Sequence, residues 1–139
     1  ASAALPAVSP KHSRRAHQWS GASLVALVVI HVAGLWLTSP PDVIDALTFA
    51  SPTPFSHWGV IAMWVIFATA LLAALRRPLR LRPRVWRAIH GAFGVIIVSG
   101  SVLHALLIEG TMEPITKVGL CILVAAGTLF TFVKRRVFH

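Results

Sequence analysis

The chain has 139 residues, of which 56% are hydrophobic and 12% charged, with a mean hydropathy of +0.76. That balance excludes an ordinary soluble domain and makes an integral membrane protein the default. A net charge of +9 would suit a nucleic-acid binder, yet twelve of the thirteen basic residues sit in three short clusters between apolar stretches. The charge therefore belongs to membrane topology, and no nucleic acid is expected as a partner.

Residues 1–12, rich in Ala, Pro and Ser, are predicted to form a flexible N-terminal segment ahead of a single domain over residues 13–139. Lys11, Arg14 and Arg15 precede the first uncharged stretch, Gln18 to Thr38, in a helix predicted over about 14–38. At about 1.5 Å per residue it is long enough for a hydrocarbon core of roughly 30 Å. It makes a poor signal peptide, lacking a small-residue cleavage site and carrying a histidine at its middle. The connection Ser39 to Ser56 contains four prolines, and within it Asp42 to Phe49 has the apolar residues for a short helix at the outer surface.

The second stretch, Trp58 to Leu75, predicts a helix over about 57–76. Arg76, Arg77, Arg80, Arg82, Arg84 and Arg87 follow, interrupted by Pro78 and Pro83, and lead into the third stretch, Ile89 to Ile108, within a helix over about 84–109. Glu109-Gly110 ends it. Pro114 introduces the fourth, Val118 to Val133, in a helix over about 115–135 followed by Lys134, Arg135 and Arg136. None of the four has the polar face that a soluble bundle needs. Tryptophans 19, 36, 58 and 86 lie near helix ends, as interfacial aromatics do, whereas Trp64 lies deeper and is expected to pack inside the bundle. Cys121 has no partner cysteine and reads as a small packing residue.

All four acidic residues, Asp42, Asp45, Glu109 and Glu113, fall in the two connections that lack the basic clusters, with only Lys117 beside them. Positive charge marks the cytoplasmic side, so both termini and the Arg-rich connection are expected inside. The predicted fold is an all-α, four-transmembrane-helix bundle, multi-pass in a bacterial inner (cytoplasmic) membrane. The Arg-rich connection is read first as topology and contact with anionic lipid.

One internal repeat stands out. The first helix reads His17-x3-Gly21-x9-His31, and the third reads His90-x3-Gly94-x9-His104. Fourteen residues turn a helix by about 1400°, close to four full turns, and advance it by about 21 Å, so both histidines of a helix leave one face at two depths. Both helices run from inside to outside, so His17 meets His90 at the inner level and His31 meets His104 at the outer level. Histidines within a membrane span are costly unless partnered. Paired imidazoles at two depths point to two bis-histidine haems, which suit one-electron transfer. Zinc is a weaker rival, because the pairs are too far apart along the axis to share a tetrahedral site.

Gly21 and Gly94 near the inner level, and Gly34 and Gly100 near the outer, either make room for a porphyrin face or permit close helix packing. Haem propionates need basic partners: Arg14, Arg15 and Arg87 are placed for this inside, and His57 or Lys117 outside. His57 has other readings, as a proton shuttle, a contact for an electron acceptor, or a plain interfacial histidine.

Arg15-x-His17-x3-Gly21 leading to His31, and Trp86-Arg87-x2-His90 leading to His104, resemble the ferric reductase-like transmembrane domain shared by ferric reductases and NADPH oxidases. The resemblance extends over roughly Arg14 to Phe138. It implies two haem b groups, ligated by His17 and His90 inside and by His31 and His104 outside, and electron flow from a cytoplasmic flavin to an outer acceptor. Members of that family commonly have about six helices and often a flavin- and nicotinamide-binding domain. Here the helices expected before the first are not in the sequence and no Gly-rich dinucleotide fingerprint follows a strand, which reads as a stand-alone conduit or as a fragment or subunit of something larger. A separate cytoplasmic flavoprotein donor, an outer-face acceptor and further membrane subunits are therefore the expected partners. Two other roles remain open: an anchor or assembly subunit of a larger redox complex, and a quinone-reactive cytochrome b with polar residues such as Ser99 and Ser101 beside one haem.

Overall fold

Proline opens every helix. In the computed structural model, which describes residues 10–110 and 113–137, the elements are α1 (Pro10–Thr38), α2 (Pro40–Leu47), α3 (Pro54–Leu75), α4 (Pro83–Leu107) and α5 (Pro114–Val137). The first-turn N–H has no intrahelical acceptor and proline's fixed φ suits a helix start, so these prolines initiate rather than break. For this reason α1 and α3 begin about a turn before the starts expected at residues 14 and 57. Of the segment expected to be flexible, residues 10–12 are already helical, and the rest lies outside the described residues. No strand occurs among the described residues.

Four helices are long and apolar enough to cross a membrane: α1 over His12–Thr38, all of α3, all of α4, and α5 over Pro114–Val133. Their apolar side chains are largely exposed, Leu37 at 84% and Leu123 at 69% among them. In water this surface would be prohibitive; in lipid it is the ordinary exterior of a bundle whose helices associate by packing. No polar or charged side chain is buried among the described residues.

The core is small and centred on α3, whose buried Val60, Ala62, Met63 and Ile66 face its neighbours. Helix α4 lies against α3 and α5, and α1 leans on α2 and α3. Buried Gly100 lets α4 approach α3, where an added Cβ would stand 3.1 Å from the Ala62 Cβ and from the Trp58 carbonyl. Cys121 is buried, as its size suggests. Trp64 departs from expectation: it is 56% exposed and meets Phe67 of its own helix edge-on at 6.2 Å, so it points outward.

The predicted short helix forms as α2, two residues earlier than expected at each end, and packs on α1 and α3 through buried Val43. Phe49 follows with φ +58, the left-handed position that usually ends a helix at glycine, and its carbonyl lies 3.3 Å from His57 Nε2.

Candidate functional site

Helices α1 and α4 do not touch through their backbones. Among the described residues no Cα of α1 comes within 8 Å of a Cα of α4, yet two pairs of imidazoles reach across the space between them. His17 and His90 have ring centres 5.8 Å apart with planes at 83°, and His31 and His104 are 6.4 Å apart at 79°. The repeat therefore brings together the expected partners, each at its own level.

These separations can be tested against a ligand set. A metal-bound imidazole nitrogen sits at about 2.0–2.1 Å. The ring centre lies about 1 Å further back, so two imidazoles on opposite sides of one metal hold their centres roughly 6 Å apart. The observed values bracket that figure. No group of three His, Cys, Asp or Glu converges among the described residues. Two nitrogens per level match a macrocycle that itself supplies four.

The glycines divide between the two roles open to them. A Cβ at Gly21, Gly34 or Gly94 would meet nothing within 4 Å, which leaves room beside α1 and α4 at these positions. Gly100 faces α3 instead, so its task is helix packing rather than space for a cofactor at the outer level.

The two levels are held differently. At the inner level Trp86 stacks on His90, one helical turn away, with ring centres 5.1 Å apart and planes at 19°. The Arg76 guanidinium carbon lies 5.1 Å from the Trp86 ring centre, a cation–π contact from the end of α3. At the outer level His104 Nδ1 lies 2.8 Å from the Phe55 carbonyl oxygen, and the Phe55 ring meets His104 edge-on at 5.8 Å. Gly59 sits directly against the same imidazole: a Cβ there would be 2.6 Å from Nδ1.

Spacing on α1 and α4 could not reveal Phe55 or Gly59. Their signal would have been a glycine one turn into α3, in a span otherwise filled with larger apolar residues.

A cavity of about 540 Å³ opens at the outer pair. His31 and His104 line it together with apolar residues of α1 and α3, including Val28, Val32, Met63 and Ile66, while Ser39, Asp42, Asp45, Ser51, Thr53 and Ser56 form a polar end. Its size and mixed lining fall in the range of cofactor and small-molecule sites.

Arg14, Arg15 and Arg87 are exposed on α1 and α4, within three residues of the inner histidines. His57 is engaged with the turn after α2, through the Phe49 carbonyl and a ring contact at 5.8 Å. Lys117 Nζ donates to the Ile108 carbonyl at 2.6 Å and to that of Leu106 at 3.4 Å, and so caps the end of α4.

A family model described as "Ferric reductase like transmembrane component" matches residues 3–101. The match includes His17, His31 and His90 and ends short of His104 and α5, a narrower reach than the motif resemblance suggested at that end. Neither curated proteins nor solved structures offer a match.

Proposed function

The chain belongs to the ferric reductase-like transmembrane family, and on that premise we propose that it is a dihaem b-type cytochrome carrying electrons across a bacterial inner membrane. The observation that carries this reading is the pair of imidazole couples facing each other at two levels, 5.8 and 6.4 Å between ring centres, across helices that otherwise stay apart. His17 and His90 would hold the inner haem and His31 and His104 the outer one. Bound haem supplies a one-electron carrier at each level.

The protein's own residues do the rest. Gly21, Gly34 and Gly94 leave space beside the ligands, and Val28, Val32, Met63 and Ile66 give the outer pair an apolar lining. Arg14, Arg15 and Arg87 offer charge to carboxylates at the inner surface. The exposed Arg76, Arg77, Arg80 and Arg82 between α3 and α4 present a basic face on which an acidic flavoprotein could dock from the cytoplasm. The acceptor would approach from the opposite side, where the cavity has its polar end.

That polar end also favours a second reading, in which a quinone is the acceptor. Ser101 lines the cavity with His104, alongside the hydroxyls of Ser51, Thr53 and Ser56, which bond one another.

Proteoliposomes test both. A reduced flavoprotein added on the Arg-rich side should reduce the b-type absorbance, and an acceptor confined to the other side should reoxidise it. Reoxidation by a lipid-soluble quinone alone supports the second reading. An anchor subunit would show no turnover with either.

A further inference from the structure

His104 is fixed by a helix other than its own. Its Nδ1 lies 2.8 Å from the Phe55 carbonyl oxygen, which can only accept, so Nδ1 carries a proton, and in the neutral ring Nε2 keeps its lone pair. Gly59 makes that contact possible. A Cβ at residue 59 would stand 2.6 Å from Nδ1 and 2.8 Å from Cε1, so any side chain there would push the ring away from the carbonyl. Phe55 and Gly59 are four residues apart, on one face of the beginning of α3. The inner counterpart, His90, stacks on Trp86 of its own helix.

We infer that the Phe55 carbonyl and Gly59 are positioning groups of the outer site, which fix His104 as the Nδ1–H tautomer and leave Nε2 as the nitrogen offered to a metal. The ligand role rests on the dihaem reading; the tautomer does not. A hydrogen bond from Nδ1–H also makes Nε2 more basic, and a more basic ligand stabilises the oxidised metal. The outer site should therefore have its reduction potential lowered by a contact made at the start of α3.

Nitrogen-15 NMR of the full chain, labelled at histidine and prepared without haem, reads the tautomer directly, with the His104 signal identified by its loss in His104→Gln. The expected result is Nδ1–H in the unaltered protein and a mixture of tautomers in Gly59→Ala. Finding Nε2–H in the unaltered protein would overturn the inference whether or not haem binds.

With haem present, Gly59→Ala should lower the content from about two to about one per chain, or raise the outer potential while the inner one stays in place. Gly100→Ala controls for packing, because it crowds the same α3–α4 contact at Ala62 without touching His104. Equal loss of the outer haem in both variants, or unchanged content and potentials in Gly59→Ala, would overturn the inference and leave the dihaem reading standing. Absence of haem from the unaltered protein defeats the ligand reading, and the tautomer result is unaffected.

Discussion

The inner and outer histidine pairs have the same spacing and nearly the same ring separation, but they are supported by different kinds of interaction. His90 rests on Trp86, four residues earlier on α4, with the Arg76 cation beside that indole. His104 is pinned by the backbone of α3 and fits only because residue 59 has no side chain. A repeated motif thus places two histidines equivalently while leaving their surroundings to whatever packs nearby. His90 stacks on an indole that carries a cation on it, whereas His104 donates a hydrogen bond and shares its cavity with Asp42 and Asp45.

The largest expected effect comes from removing ligands one level at a time. His31→Ala or His104→Ala should abolish the outer haem and keep the inner, and His17→Ala or His90→Ala the reverse, read as halved absorbance per chain. Loss of both haems from any one of these variants would break the proposed independence of the levels.

Next is the space beside α4. Gly94→Leu adds a large side chain where a Cβ now meets nothing within 4 Å. It should lower inner haem content while circular dichroism shows unchanged helix, whereas full haem content would mean that the space serves no cofactor.

A smaller effect should sharpen the contrast in charge. Arg76→Gln removes the cation over Trp86 and should lower the inner potential by on the order of tens of millivolts, with the outer unchanged in a redox titration. A shift at the outer level would contradict the assignment.

The smallest belongs to Lys117→Met, which removes the cap from the end of α4. Thermal unfolding in detergent should show a loss of about 0.5–1 kcal/mol, with haem content unaltered. Reduced haem content there would return Lys117 to the outer site.

How much of this was legible in the sequence follows from how far each interaction reaches along the chain. Helix periodicity and a fourteen-residue interval are local properties, so the pairing of His17 with His90 and His31 with His104 could be read before any fold was known. The membrane spans were legible for the same reason, apart from starts that proline moved earlier. Gly100 was harder: its position on α4 said that a small residue was needed, but not whether a cofactor or Ala62 required it. Trp64 and Lys117 went to exposed and capping positions because α3's outer face and α4's open carbonyls were not visible from composition. The Phe55 carbonyl could not have been found at all, since a backbone acceptor has no residue-type signature and its partner lies forty-nine positions away.

Haem quantitation by pyridine haemochrome, on the intact chain purified from membranes in the presence of haem, tests the central claim most directly. About two b-type haems per chain are expected, one of them lost on replacement of either outer histidine. No bound haem, or a single one insensitive to loss of either outer histidine, would contradict it.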